Sequence, residues 1–346
     1  MANLKVNTVS GIGTEGPVLN GGLHFRSKNY MTLPKGNTTD AFPDFKAVPA
    51  ASARGVFFGG ITEPSPTKQS RIDYITISTT GDSIVFGDLT AANQFPTAFA
   101  NNTRGVIAGG ANPSITNSME FVTIATTGNA TKFGDLTLAR SGSGSLANST
   151  RGLIAGGNPE TNTVDFVTIQ SEGNAQNFGD LLSSIQATDG CSDLTRGVFG
   201  GGEDSPTSIN TIQFFTIPTQ SNATDFGDLT VSRRNLASGS SPTRGFFMGG
   251  DLQASSYYDT IDFVTIQSTG NATDFGNLSA ARAELGAVAS TIRACVGGGY
   301  VSPSTPNSDI VEYVTIASTG NMTDFGNLTV ARRQIKGCSN GHGGLG

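Results

Sequence analysis

One stretch of sequence occurs six times in this chain, and this repetition constrains the possible fold more than any other feature. The clearest copies are Phe263–Leu278 and Tyr313–Leu328, in which an aromatic-Val-Thr-Ile run precedes Ser-Thr-Gly-Asn and then Thr-Asp-Phe-Gly-Asn-Leu. β-Branched and aromatic residues before the Gly-Asn turn, and the short run after it, predict two strands joined by a tight turn. The other copies begin at Tyr74, Phe121, Phe166 and Phe214.

The first strand of each copy is uncharged on both faces. Side chains alternate along a strand, so Val264 and Ile266 lie on one face while Phe263 and Thr265 lie on the other. A free hairpin would keep one face polar and wet, so we predict a strand that is covered on both sides. This describes a sheet stacked between two similar sheets. The Asn of turn sequons such as Asn129-Ala-Thr is interpreted as a turn-forming residue, of a type that tolerates positive φ, rather than as a glycan carrier.

Six arginines define the length of the repeating unit. Each precedes a short apolar run and a Gly-Gly pair, as in Arg54–Gly60, and each follows a stretch of small residues. The unit is therefore four short strands: a small-residue strand A, the arginine strand B, and the two strands C and D of the repeated stretch. Four strands in roughly 45–50 residues with no helix signal predict propeller blades, which must stack because one unit buries too little surface. The arginines are Arg54, Arg104, Arg151, Arg196, Arg244 and Arg293.

The two ends of the chain predict how the ring closes. After the sixth repeat, Gln334–Asn340 aligns with a further strand A and Gly343–Gly346 begins a strand B. The runs Leu23–Lys28 and Tyr30–Pro34 have suitable lengths for strands C and D. We therefore predict an all-β fold, a β-propeller of seven four-stranded blades, the seventh closed by both termini, with six blades as the alternative. Residues 1–21 would form an N-terminal arm serving as an attachment segment, and 22–346 the propeller.

Composition excludes several classes of partner. The chain has 46 glycines, 14% charged residues and no tryptophan, which fits many thin cores joined by turns. A net charge of −6 argues against nucleic acid, whose phosphates require a basic surface. The sequence also lacks an apolar run long enough for a signal peptide or a membrane span. We expect no nucleic-acid partner and no membrane insertion.

The sequence offers few groups for catalysis. Its two histidines, His24 and His342, fall in the predicted closing segments, and neither has an acidic or cysteine partner at metal-ligand spacing. Cys191, Cys295 and Cys338 have no paired spacing, which favours small buried thiols over a disulfide framework. We expect no enzymatic activity, no metal and no cofactor.

The repeated arginines have two interpretations. In the favoured one, each pairs with a strand-D carboxylate, or with Asn277 or Asn327 in the last two repeats, and so joins strands or blades. In the other, the six side chains point into the central channel and form an anion-binding ring. The carboxylates proposed as partners are Asp88, Asp135, Asp180 and Asp228.

The loops between strands B and C differ most among the repeats. Equivalent loops of a propeller emerge on one face, where variable residues build binding surfaces, although loops also vary where they are unconstrained. The candidate binding residues are Tyr257, Tyr258, Tyr300, Lys68 and Arg71, because tyrosines among polar neighbours suit carbohydrate or protein contact. The loops are 61–73, 111–120, 158–165, 203–213, 251–262 and 300–312.

The repeats resemble a known motif. A Gly-Gly pair ending strand B, an aromatic residue in strand C and a large aromatic followed by Leu in strand D resemble the kelch motif, with Phe where kelch usually has Trp. The repeated stretch, the opening Asn29–Gly36 and the ending Ser339–Gly346 resemble kelch-like structural proteins of marine bacteriophages. This resemblance covers nearly the whole chain.

The resemblance implies a virion protein. It predicts a non-enzymatic tail-fibre, tail-associated or capsid-surface component that displays a β-propeller for host-surface or protein binding. Its partners would be other virion proteins, further copies of itself in the particle, and a host-surface glycan or receptor. The alternatives are a soluble carbohydrate-binding lectin and a kelch-type protein-interaction module.

Overall fold

The computed structural model describes residues 53–253, 256–301 and 306–345, which belong to one compact unit, Pro49–Gly346. These residues form six antiparallel sheets, the blades, one of five strands and five of four strands, together with two short two-stranded hairpins. In the described chain, no helix is long and apolar enough to cross a membrane.

The strands follow each other in the order that the repeats predict. Blade 1 contains β1 (Arg54–Phe58), β2 (Ile61–Thr62), β3 (Thr67–Thr76) and β4 (Ile84–Asn93). Blade 2 contains β5 (Thr97–Ala100), β6 (Arg104–Ala108), β7 (Ser118–Thr123) and β8 (Thr131–Asp135). Blade 3 contains β9 (Gly144–Ala147), β10 (Arg151–Ala155), β11 (Thr161–Thr168) and β12 (Gln176–Ile185).

The second half of the chain repeats this arrangement. Blade 4 contains β13 (Asp189–Ser192), β14 (Arg196–Gly200), β15 (Glu203–Asp204), β16 (Thr207–Ser208), β17 (Thr211–Thr216) and β18 (Thr224–Asp228). Blade 5 contains β19 (Ala237–Ser240), β20 (Arg244–Met248), β21 (Asp251–Leu252), β22 (Ser256–Tyr257), β23 (Thr260–Thr265) and β24 (Thr273–Asn277). Blade 6 contains β25 (Gly286–Ala289), β26 (Arg293–Gly297), β27 (Ile310–Thr315) and β28 (Thr323–Asn327), and the chain continues with β29 (Lys336–Ser339) and a 3-10 turn (Gly343–Leu345).

The strands A of the six blades form a closed inner ring. Each packs beside the strands A of the two neighbouring blades, in the order β5, β9, β13, β19, β25, β29 and back to β5. Small side chains in these strands allow six of them to surround one axis, where they line a cavity of about 50 Å³. The described chain is therefore a six-bladed β-propeller.

The prediction of seven blades is wrong, and its six-bladed alternative is correct. The C-terminal strand β29 is the inner strand of blade 1, where it pairs antiparallel with β1 through Gly55–Ser339 and Val56–Cys338. Without β29 the inner edge of β1 would be unpaired, so the end of the chain fills that position instead of starting another blade. The predicted arm and the runs Leu23–Lys28 and Tyr30–Pro34 lie outside the described residues.

Each blade is covered on both faces, as the uncharged strands predict. In blade 5, Val264 and Ile266 are buried in a cluster shared with Phe226 and Val198 of blade 4. Phe263, on the opposite face of the same strand, packs against the cluster shared with blade 6. The six cores are thus interfaces between blades, and no blade has a core of its own.

Antiparallel pairing gives the propeller two unlike faces. The turns from A to B and from C to D lie at one end of the blades, which we call the turn face. The B-to-C loops and the D-to-A links lie at the other end, which we call the loop face. At the loop face the first glycine of each Gly-Gly pair has φ of 61–68° and the second has φ of 93–121°. A Cβ on Gly249 would lie 2.6 Å from the Arg282 carbonyl oxygen, so the link packs too closely for any side chain.

Candidate binding site

The six repeated arginines lie at the turn face and join each blade to the next. Each guanidinium stacks on the strand-C aromatic ring of its own blade, with its carbon 4.4–5.0 Å from the ring centroid. Its Nη1 donates to a backbone carbonyl at the end of strand C in the following blade, as from Arg244 to Ile316 at 2.7 Å. Arg293 closes the circle by donating to Ile77 of blade 1 at 3.1 Å.

The partners of these arginines differ from both predictions. The arginines begin strand B and the predicted carboxylates lie in strand D, with strand C between them, so the guanidinium groups reach carbonyls instead. Asp88 and Asp135 accept hydrogen bonds from Ser70 and Lys132. The central channel is lined by strand A, one strand further in than the arginines, so the anion-binding ring is also wrong.

The asparagine of the repeated turn makes a second contact between blades. Asn271 Oδ1 accepts from the Asp228 amide at 3.1 Å, while the Gly270 amide donates to the Phe226 carbonyl at 2.8 Å. Asn129, Asn174, Asn222 and Asn321 make the same side-chain contact, and Asp82 replaces Asn in blade 1. These asparagines act in the turn without adopting positive φ, since the left-handed non-glycine residues of the described chain are Phe95, Ala187, Asn235, Gln253, Glu284 and Gln334.

A second arginine column, which the sequence analysis missed, is buried between blades near the loop face. Its four members are at most 1% exposed, and each forms an ion pair with a strand-C carboxylate of the following blade. Burial lowers the pKa of Arg332 to about 10, although Asp73 opposes this shift. Such a charge is tolerated in the interior only when it is paired. The pairs are Arg140–Asp165, Arg233–Asp262, Arg282–Glu312 and Arg332–Asp73.

Before blade 4 both partners of this pair change together, whereas before blade 2 Asn93 takes the arginine position and the facing Glu120 keeps its carboxylate. Ile185 takes the arginine position before blade 4, and the facing strand-C residue there is neutral Gln213. Gln213 Oε1 accepts from the Leu182 amide at 2.8 Å, the link contact that Asp262 Oδ2 makes with the Thr230 amide at 3.0 Å. The link contact is therefore retained without the charge.

At the loop face, one residue of each D-to-A link contributes to a closed ring of hydrogen bonds around the axis. Each amide donates to the carbonyl of the preceding ring residue at 2.7–3.1 Å, and Phe95 closes the ring by donating to Gln334. All six residues are left-handed, with φ of 51–61°. A left-handed conformation costs a non-glycine residue roughly 1–2 kcal/mol. The ring residues are Phe95, Gly142, Ala187, Asn235, Glu284 and Gln334.

A wider set of positions surrounds this ring. In each blade the link residue before the ring residue pairs with a residue at or next to the start of the B-to-C loop. The backbone is thus repeated six times, while its side chains differ from blade to blade. The pairs are Ile61–Arg333, Gln94–Ala111, Ser141–Asn158, Gln186–Glu203, Arg234–Asp251 and Ala283–Tyr300.

These side chains divide the mouth of the propeller into two halves. Arg234 binds Glu203 and lies 3.4 Å from Asp251, while Arg333 lies 3.0 Å from Glu63 and 3.4 Å from Glu284. The half formed by blades 2 and 3 presents small or neutral side chains, namely Gln94, Ala111, Ser141, Gly142 and Asn158.

A pocket of about 210 Å³ lies where the two halves meet. Phe95 and Gly142 of the ring line it, and Glu203, Arg234 and Glu284 form its charged side. Burial raises the pKa of Glu284 above its ordinary value, although Arg333 opposes this shift. We call this cavity the mouth pocket.

The structure brings together two of the five predicted binding residues. The rings of Tyr257 and Tyr300 are 5.1 Å apart, and the Arg333 guanidinium lies 4.9 Å from the Tyr300 centroid. Tyr258 contacts the Gly–Gly corner through its backbone amide, which donates to the Gly250 carbonyl. Lys68 donates to the Pro113 carbonyl at 2.7 Å, and Arg71 is part of strand C in blade 1. Most of the mouth-pocket residues were missed because they lie in the D-to-A links, while Asn158 and Glu203 lie at the starts of B-to-C loops and were not singled out there.

The channel beneath the mouth is obstructed by polar contacts. Lys336 of blade 1 reaches across the axis to Asp189 of the opposite blade 4 at 3.0 Å. At the turn face, His342 Nε2 donates to the Ala100 carbonyl at 2.8 Å, and burial lowers the pKa of His342. The described residues contain no group of three His, Cys, Asp or Glu side chains that could hold a metal ion.

Two reactive residue types are held in unreactive settings: serine in the channel wall, and cysteine both there and in a core between blades. Gly337–Gly341 matches the Gly-x-Ser-x-Gly pattern of hydrolases, but Ser339 is a buried residue of β29 whose Oγ donates to the Ala289 carbonyl at 2.6 Å. A nucleophile elbow would instead expose the serine on a strand-to-helix turn. Cys191, Cys295 and Cys338 are free and buried, and burial raises the pKa of each thiol.

The architecture therefore defines a six-bladed β-propeller with a polar pocket at the axial end of its loop face. No protein-family model matches the chain. No curated protein matches it either.

Proposed function

We propose that this protein is a non-enzymatic structural component of a bacteriophage particle. It serves as a tail-fibre, tail-associated or capsid-surface protein and displays its propeller for binding to the host surface or to another protein. Its partners are other virion proteins and further copies of itself. The support for the phage assignment is the resemblance of the repeated stretch, the opening and the ending of the chain to kelch-like phage proteins.

The observation that carries the binding role is the contrast within the loop face. Six equivalent backbone positions there carry Phe, Gly, Ala, Asn, Glu and Gln, although every one of them is left-handed. Gly142 makes the same ring hydrogen bonds without the conformational cost that Phe95 and Glu284 bear. Strained backbone positions that carry a side chain where glycine would fit without cost are typical of functional sites, which favours a role for these side chains in contacting a ligand.

Immunogold labelling of purified phage particles tests this assignment. Antibody raised against the isolated propeller is expected to label intact particles at a constant position, because a displayed loop face is accessible from outside. Particles that remain unlabelled, and from which mass spectrometry recovers no peptide of this chain, would contradict the virion assignment. A soluble lectin would then be the better proposal if the isolated protein still bound sugars.

A further inference from the structure

We infer that the mouth pocket binds a single pyranose unit of a neutral sugar. This inference deepens the proposed function by naming the ligand class that the loop face recognises. It rests on four features of the pocket: its origin, its polar groups, its charge balance and its aromatic wall.

The pocket exists because two neighbouring ring positions carry no side chain larger than a methyl group. Gly142 and Ala187 occupy positions that carry Phe, Asn, Glu or Gln in other blades. A Cβ on Gly142 would meet only the Ala187 amide nitrogen within 4 Å, at 3.9 Å, so the space above this residue is open. The ring thus leaves an open floor at Gly142 and Ala187 beneath a cavity of about 210 Å³.

The walls of the pocket carry the groups that sugar hydroxyls require. Glu203 and Glu284 offer carboxylate oxygens as acceptors, and Asn158 and Gln186 offer amides that both donate and accept. A sugar hydroxyl donates one hydrogen bond and accepts others, so it pairs with a planar carboxylate or amide at adjacent positions. Few small ligands other than sugars present hydroxyls in several directions at once.

The balance of charge favours a neutral sugar over an acidic one. Arg234 is already bound to Glu203 and Asp251, so its charge is compensated within the protein. Glu284 stands beside the same cavity and would repel a ligand carboxylate or phosphate. Arg333 is 3.0 Å from Glu63 and 3.4 Å from Glu284, and Lys336 is 3.0 Å from Asp189, so the charges of these two cations are also compensated within the protein.

Phe95 supplies an apolar wall. It is half-buried at the edge of the pocket with φ of 51°, although the equivalent position in the next link is Gly142. The carbon–hydrogen face of a pyranose packs on such a ring while its hydroxyls turn toward the polar wall. The combination of one aromatic side and one carboxylate–amide side therefore suits a pyranose better than a peptide side chain.

Ligand-observed NMR with the full-length protein tests the inference. The probes are the methyl pyranosides of glucose, galactose, mannose and N-acetylglucosamine, with glucosamine and N-acetylneuraminic acid as charged comparisons. We expect millimolar binding of at least one neutral pyranoside. Gly142→Asn should abolish it by filling the floor, since Asn235 shows that the ring accepts asparagine.

The matched control is Gly128→Asn, which makes the same change in an exposed turn on the opposite face. A Cβ on Gly128 would meet no atom within 4 Å, so this variant should bind as the wild type does. If Gly142→Asn fails to fold, Phe95→Ala and Glu284→Ala provide the same test. Each should weaken binding on the order of tenfold by removing one wall of the pocket.

Each outcome has one consequence. Pyranoside binding that is lost in Gly142→Asn and retained in Gly128→Asn supports the inference. Binding that persists in Gly142→Asn, binding of the charged comparisons alone, or no binding of any neutral pyranoside overturns it. Particles that contain the protein while no pyranoside binds would contradict this inference and leave the proposed function intact. Pyranoside binding by a protein that is missing from particles would support this inference and contradict the proposed virion function.

Discussion

The turn face and the loop face of the propeller are built from the same number of repeats, yet they use repetition differently. At the turn face all six blades repeat the stacked arginine, its carbonyl partner and the polar side chain that reaches the previous blade. At the loop face the ring of hydrogen bonds repeats, while its side chains range from Gly142 to Phe95. The difference indicates that contacts between blades fix side chains at the turn face, whereas only the backbone is fixed at the loop face.

The largest expected effect comes from removing the strand that closes the circle. A chain truncated after Gln334 loses β29, so β1 loses its inner partner and the clusters on both sides of blade 1 become exposed. We expect the truncated protein to lose its cooperative unfolding transition, or to be insoluble, as followed by circular dichroism and calorimetry. Truncation after Asn340 is the control, because it keeps β29 and the Asn340 Oδ1 that accepts from the Arg54 amide. Equal melting temperatures for the two truncations would contradict closure by β29.

The buried ion pairs offer the next largest effect. Asp262→Gln leaves Arg233 charged and unpaired at 0% exposure, which should destabilise the protein by about 3–5 kcal/mol. Adding Arg233→Ile reproduces the Ile185–Gln213 arrangement of blade 4 and should restore stability to within about 1 kcal/mol of the wild type. Denaturant unfolding of the two variants measures both values. A double variant as unstable as the single one would show that these pairs are not interchangeable between blades.

A turn-face arginine should contribute less, because it is partly exposed. Arg244→Met removes the stack on Phe263, at 4.9 Å, and the hydrogen bond to the Ile316 carbonyl. We expect a loss of about 1–2 kcal/mol in the free energy of unfolding. Arg244→Lys is the control, since it keeps a cation above the ring and should lose about half as much. A loss below about 0.5 kcal/mol for the methionine variant would weaken the claim that this contact fixes the turn face.

The smallest expected effect, a gain in stability, lies at the loop face. Burial raises the pKa of Glu284, so ionising this carboxyl group costs more free energy in the folded state than in the unfolded chain. Glu284→Gln should therefore raise the melting temperature on the order of 1–2 °C at pH 7. Below the pKa of this group in the unfolded chain, both states of the wild type are protonated and the difference should vanish.

The pH series of Glu284→Gln has a clear contrary result. The advantage of the variant should shrink as the pH falls through the raised pKa of the folded state. A variant that is less stable than the wild type at neutral pH would mean that the contact with Arg333 outweighs the burial of Glu284. That result would remove one reason for regarding Glu284 as retained for binding.

The sequence predicted the propeller and its four-stranded unit but not the number of blades. Strands A to D, their order and their burial on both faces follow from local patterns that each repeat carries, such as the alternation around Val264 and Ile266. Whether Gln334–Asn340 began a new blade or completed the first one depended on which distant strand was left unpaired. Tyr257 and Tyr300 were correctly placed on the loop face, while Phe95, Gly142 and Glu284 were missed because a left-handed ring has no local signature.

What the sequence by itself determined is the blade, because alternation, turn residues and the Gly-Gly pairs act over a few neighbouring residues. What only the tertiary structure decided is everything that joins one blade to another across the axis or around the ring. The arginines at the turn face lie next to strand C, and their partners are carbonyls of the next blade, which carry no residue identity that a sequence could reveal. The mouth pocket likewise exists only when six links converge, since its floor at Gly142 and its charged wall at Glu203 and Glu284 come from separate repeats.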